Sequence, residues 1–138
     1  MEKENITKIC EDLQKDLRLN NWNIDLTFKE LKGFGRVETI KSEENIAIIN
    51  LSPSSHRNHN QIMTTLLHEF YHILIKKLEK QIKLTKNLSE TESDGSNKLY
   101  NMKIRNLKDI DKTWDDLGKI IEAFGDLNEM GEIQFKKK

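Results

Sequence analysis

Residues 61–79, QIMTTLLHEFYHILIKKLE, form the most apolar helical pattern in the chain, and the rest of the sequence is interpreted around them. The residues expected to face the core recur at helical spacing: Ile62, Leu66, Phe70, Ile73 and Leu74. Leu67, Tyr71 and Ile75 widen this stripe until the helix is apolar over most of its circumference. The pattern therefore predicts a central, buried helix that begins between Ser55 and Asn60, with Asn58 or a nearby serine as the N-cap, and ends near Glu79.

Three short strands are predicted before this helix. Residues 22–28 alternate apolar and polar side chains, residues 36–41 carry Val37 and Ile40, and residues 46–51 are rich in β-branched side chains. Gly33 to Gly35 and residues 43–45 indicate turns between them. Because short turns suit antiparallel neighbours, we expect an antiparallel three-stranded sheet.

Helices are expected at both ends of the chain. Residues 3–18 are amphipathic, and Cys10 lies within their apolar stripe as a core residue. A C-terminal helix is indicated by apolar residues at helical spacing: Trp114, Leu117, Ile120, Ile121, Phe124 and Leu127. Residues 85–98 are polar and predict a loop or insertion, residues 99–104 a short strand, and residues 131–138 a frayed tail. The fold class is therefore α+β, as a single domain over 1–138.

Composition limits the possible functions without choosing one. The 138 residues include 23 basic and 23 acidic side chains, so the net charge of zero gives no general attraction to nucleic acid or anionic membranes. One cysteine cannot close an internal disulfide, and the start MEKENITKIC has no apolar signal core. These features predict a cytoplasmic protein with no membrane span. The oligomeric state is left open.

The central helix carries the motif H-E-x-x-H as His68, Glu69 and His72. Residues four apart on a helix project from one side, so both imidazoles can reach one tetrahedral zinc ion. Glu69 leaves the helix beside them and is placed to accept a proton from metal-bound water rather than to ligate. The competing interpretation is a pair of core histidines bonded to backbone groups, and the Glu between them favours the metal site.

This motif and its surroundings resemble a family of proteins. An opening helix, Trp22-x-Ile24-x-Leu26, the glycine turn, strand 46–51 and the segment TTLLHEFYHIL at 64–74 are similar to small HExxH zinc metallopeptidase-like domains of phages and prophages. These domains are related in outline to SprT-like and minimal gluzincin proteins. The resemblance implies a zincin-like fold with one catalytic zinc, His68 and His72 as ligands and Glu69 as general base. It also implies that strand 46–51 offers an edge on which an extended peptide pairs.

The third zinc ligand is the least determined part of the site. Ile75 and Leu78 occupy the positions where a metzincin has Gly and His, and no histidine follows His72, so a carboxylate is expected. Glu122 on the last helix is the leading candidate. The alternatives are Glu92, which follows His72 at a thermolysin-like spacing, and four other acidic residues: Glu90, Asp115, Asp116 and Glu129. Tyr100 is a candidate donor to the oxyanion.

The expected function is zinc-dependent hydrolysis of a peptide or protein substrate. One alternative is a non-catalytic binding module that keeps the zincin-like fold, although Glu69 favours catalysis. A second is a DNA-associated regulatory protease of the SprT-like kind, with the lysine stretch 76–86 as its nucleic-acid surface. A solvated helix end is favoured over that surface, since lysines also suit a helix C-terminus.

Overall fold

The computed structural model describes residues 3–29, 35–52, 58–90 and 97–129. The elements in chain order are α1 (Lys3–Asp16), β1 (Asn23–Phe28), β2 (Gly35–Lys41), β3 (Ile46–Leu51), α2 (His59–Glu90) and α3 (Asn97–Glu129). Within the described residues the fold is therefore α+β with three helices and a three-stranded sheet, and the three strands predicted before the central helix are present.

The sheet is mixed, so the prediction of an antiparallel sheet is wrong. Its strand order is β1-β3-β2. β2 pairs antiparallel with β3, but β1 pairs parallel with β3, from Asn23 opposite Ile46 to Phe28 opposite Leu51. The most apolar strand, β3, takes the central place because it is covered there on both sides. The connection from β1 to β2 then spans only one intervening strand, about 10 Å, which a short segment can cross.

Helices α2 and α3 are both longer than the sequence pattern indicates. The Asn58 side chain caps α2 by accepting a hydrogen bond from the Gln61 amide (3.0 Å), as expected. At its other end α2 continues to Glu90, and α3 begins at Asn97, so that residues 99–104 are helical and not a strand. Of the predicted loop 85–98, only 91–96 lies between the helices, and it is outside the described residues, as is the tail 131–138.

Packing between α2 and α3 explains the extra helical turns. The Thr113 hydroxyl of α3 donates to Gln81 Oε1 of α2 (2.8 Å), and Gln81 Nε2 donates to the Asp109 carbonyl of α3 (3.5 Å). These polar side chains favour helix only weakly by themselves, but contacts with a neighbouring helix outweigh that preference.

The core lies between the sheet and the three helices, with α2 in its centre. All five residues of the predicted α2 stripe are fully buried: Ile62, Leu66, Phe70, Ile73 and Leu74. Cys10 is also buried, as expected, and this burial, with a smaller effect of the Glu11 charge, raises the pKa of its thiol to about 12. The pattern fails at Tyr71, Trp114 and Ile121, which are exposed.

Gly35, at the start of β2, allows the strand to lie close to α2. A Cβ atom there would come within 3.0 Å of both the Asn50 carbonyl oxygen and Thr65 Cγ2. We expect Gly35→Ala to lower the free energy of unfolding by about 1–3 kcal/mol, because strand or helix has to shift to admit the methyl group. Urea denaturation checks this. Gly118 is the comparison within a single chain: a Cβ there has nothing within 4 Å, so alanine adds helix propensity of up to about 1 kcal/mol to α3 without a clash inside the fold.

Candidate metal centre

His68 and His72 lie on the exposed side of α2, one turn apart. Their Nε2 atoms are 3.3 Å from each other, and the two rings meet edge to face with centroids 4.9 Å apart. The four-residue spacing on a regular helix produces this arrangement directly. Both histidines are therefore brought together as the sequence predicts, with nitrogen atoms converging on one point outside the helix.

The distance between these nitrogens matches the requirement of a tetrahedral zinc site. Two nitrogens bound at about 2.05 Å, with a tetrahedral angle at the ion, lie about 3.3 Å apart. The observed separation is also 3.3 Å. The two Nε2 atoms thus lie at the separation that two ligands of one tetrahedral ion have.

Glu69 lies beside the two histidines on the buried side of α2. One residue turns a helix by about 100°, which takes Glu69 from the exposed side of His68 towards the sheet. Its side chain is 4% exposed, and its Oε1 accepts a hydrogen bond from the Val37 amide of β2 (2.8 Å). This bond sets the direction of the carboxylate and partly offsets the cost of burying it.

The edge of the sheet next to this carboxylate is β2. Among the described strands β2 pairs only with β3, whereas β3 pairs with a strand on each side. The expectation that strand 46–51 offers a free edge is therefore wrong, because its central position leaves its backbone groups occupied. A peptide that adds to the described sheet beside Glu69 would have to pair with β2.

Glu122, the leading candidate for third ligand, is not brought to the histidines. It is exposed on α3 and follows the fully buried Ile120 by two residues, about 200° further round the helix. In the described part of the chain, no group of three or more His, Cys, Asp or Glu side chains is arranged to hold a metal ion. The described site therefore provides two nitrogen ligands, and a third protein ligand stays a prediction.

The other acidic candidates have different positions. Asp115 is exposed on α3, whereas Asp116 is fully buried, with Oδ1 3.1 Å from Lys119 Nζ and 3.8 Å from Arg18 Nε. Both cations lie on the Oδ1 side, and neither carboxylate oxygen has a hydrogen-bond partner among the described residues, so the ion pairs offset only part of the cost of burying the charge. Glu90 and Glu129 end their helices with side chains outside the description, and Glu92 lies wholly outside it.

The lysine stretch 76–86 is partly used in contacts within the chain. Lys77 Nζ donates to the Arg18 carbonyl (2.9 Å), and burial lowers the pKa of its ammonium group. Lys80 Nζ donates to the Ser42 carbonyl (2.8 Å) and so connects α2 to the turn between β2 and β3. Lys76 Nζ lies 3.4 Å from Glu79 Oε1, one turn along the same helix. These contacts favour the interpretation of a solvated helix end over a continuous nucleic-acid surface.

Two features next to the site were missed in the sequence. The Val37 amide that holds Glu69 could not be predicted, because every residue except proline has such a donor. Gly35 could have been noticed, because a glycine in a strand often marks a place where another part of the chain comes close to the backbone. Tyr100, the candidate oxyanion donor, lies exposed in the first turn of α3.

Comparisons with protein families, with curated proteins and with solved structures find no match to this chain. Within the described residues, no helix has the length and apolar character needed to cross a membrane. A function for this chain therefore has to be argued from its own residues and their geometry.

Proposed function

We propose that the chain is a zinc-dependent metallopeptidase in which His68 and His72 hold the ion and Glu69 is the general base. The separation of 3.3 Å between the two Nε2 atoms is the observation that carries this proposal. Core histidines would be buried, whereas His68 and His72 are both exposed. Two nitrogen ligands of one tetrahedral ion have to converge.

Glu69 is suited to proton transfer by its position between the histidines and the sheet edge. When bound, zinc supplies Lewis acidity and lowers the pKa of a coordinated water towards neutrality. The Glu69 carboxylate accepts the proton of the attacking water and returns it to the amine that leaves when the peptide bond breaks. The Val37 amide holds one oxygen of Glu69 during this transfer, which leaves the second oxygen to act as base.

The substrate in this proposal is an extended peptide on the edge of β2 that no described strand covers. Main-chain hydrogen bonds from such an edge bind a peptide with little dependence on its sequence. The peptide would run past the Val37 amide and therefore past Glu69, within reach of the exposed side of α2. An unfolded protein segment suits this edge better than a folded domain, since its backbone groups are available for pairing.

The test is to measure zinc content and peptide cleavage on the same purified sample. We expect about one zinc per chain, cleavage of an unfolded protein substrate, loss of cleavage on chelation and recovery on adding zinc. No zinc in the purified protein and no binding of added zinc would contradict the proposal. Bound zinc without cleavage of any unfolded substrate would support the alternative, a non-catalytic module that keeps the metal.

A further inference from the structure

The outer side of α3 carries a row of large apolar side chains that we call the α3 seam: Tyr100, Ile104, Leu107, Trp114 and Ile121. Four of them follow one another at intervals of seven residues, and Ile104 lies between the first two. Tyr100 is 63% exposed, Leu107 48%, Trp114 56% and Ile121 67%. A helix that packs only against its own fold would bury such residues or replace them with polar ones.

The seam is distinct from the surface that α3 uses inside the fold. Thr113, Leu117 and Ile120 are buried and define that inner surface. Trp114 and Ile121 each follow a buried residue by one position, about 100° further round the helix. An apolar repeat of seven residues is the pattern with which one helix packs along another over several turns. The seam runs from Tyr100 to Gly125, about 38 Å of helix.

Small residues leave holes beside the large ones. Gly118 and Gly125 occupy the alternate positions of the same repeat, and a Cβ atom at either has nothing within 4 Å. If two α3 helices pair antiparallel, a large residue of one faces a small residue of the other. Gly118 then faces the partner's Leu107, and Gly125 faces the partner's Tyr100. Ile104 of each copy faces Ile121 of the other, and Trp114 faces the partner's Asp111, the one charged residue at the alternate positions.

Charges along one border of the seam agree with the same register. Lys108 and Asp115 are exposed at equivalent positions of successive repeats. In the antiparallel pairing Lys108 lies opposite the partner's Asp115, and by symmetry the contact occurs twice. In a parallel pairing each seam residue would instead face the same residue of the partner, so Gly118 would meet the partner's Gly118 and leave a void. Size and charge thus both select an antiparallel second copy.

We propose that two copies of this chain form a symmetric dimer through their α3 seams, packed antiparallel with Lys108 of each copy beside Asp115 of the other. The dimer does not depend on zinc or on catalysis. The large seam residues act as knobs, and Gly118 and Gly125 form the holes that receive them. Burial of the partly exposed Trp114 and Ile121 provides most of the stabilisation.

Sedimentation equilibrium of the full chain tests the dimer. The wild type should dimerise, and Trp114→Glu should raise the dimer dissociation constant by roughly 30-fold or more. Trp114 is already exposed, so the variant should keep its fold, which circular dichroism checks. Ile82→Glu on the exposed part of α2 is the matched control and should leave the constant unchanged. A wild type that is monomeric at high concentration, or a dimer insensitive to Trp114→Glu, would overturn the proposal.

A charge exchange tests the register. Lys108→Glu and Asp115→Lys should each weaken the dimer, and the double variant should restore it, because the exchanged charges again face each other. Lys8→Glu on exposed α1 changes the net charge equally and should have no effect. If the double variant is as weak as the single ones, Lys108 does not meet Asp115 and the antiparallel arrangement is incorrect.

Discussion

The Glu69→Gln variant is expected to bind zinc as the wild type does and to lose peptide hydrolysis by roughly 100- to 10,000-fold in kcat/KM. Glutamine keeps an oxygen that can accept the hydrogen bond from the Val37 amide, so the local packing should survive. It cannot accept a proton from water at neutral pH, so the loss should appear in kcat. Steady-state cleavage of a fluorogenic peptide, with zinc content measured on the same sample, checks both parts.

Glu79→Gln is the control for this variant. Glu79 lies on the same helix but is exposed and 3.4 Å from Lys76, so its amide variant should cleave at the wild-type rate. If Glu69→Gln keeps full activity, the carboxylate has only a structural function and a different base has to be found. If Glu69→Gln instead unfolds the protein, Glu69→Asp separates the two effects, since it retains the charge but shortens the reach.

Replacing His68 with alanine is expected to weaken zinc binding by roughly 100- to 1,000-fold, because a zinc site of about 10–16 kcal/mol shares that energy among about four ligands. His72→Ala should have an effect of the same size, since both Nε2 atoms approach the same point. Competition with a chromophoric chelator measures the change. Hydrolysis should fall in parallel, because the remaining ligands do not hold the ion at working concentrations.

His59→Ala is the matched control, an exposed histidine at the start of the same helix, and it should bind zinc normally.

Glu122→Gln is expected to change zinc affinity little, because Glu122 lies on the side of α3 away from its buried residues. A loss as large as that of His68→Ala would mean that α3 turns when the metal binds. Glu92→Gln and Glu129→Gln, compared in the same assay, test the remaining glutamates. Normal binding by His68→Ala would contradict the zinc site itself.

The parts of the fold that depend on local periodicity were predictable. The position of the central helix follows from spacings of three and four residues, and the structure confirms it. The sequence offered Asn58 or a nearby serine as its N-cap, and the structure shows that Asn58 is the cap. The strands were found for the same reason, since alternation is a property of the strand itself. Their order was not, because turn length does not reveal that β3 lies between β1 and β2.

In the candidate site too, the features set within one helix were predictable and those that need a second element were not. The imidazoles of His68 and His72 lie next to each other because the helix between them is regular, so residues 68–72 were enough to predict this contact. A third ligand must come from another element, and a helical glutamate such as Glu122 gives no sign of which neighbour its side will face. The prediction that Trp114 and Ile121 face the core was wrong for the same reason. Their apolar character was evident from the sequence, but their position outside the core was not.

The sequence by itself determined α1, the three strands before the central helix, the apolar face of α2 and the shared side of its two histidines. Each depends on contacts within a few residues, which the periodicity of a helix or strand sets directly. Only the tertiary structure decided that β2 is the edge beside Glu69, that the Val37 amide holds its carboxylate, and that α3 leaves an apolar seam uncovered. Those features depend on which elements pack together, and apolar burial, being non-directional, does not name the partner.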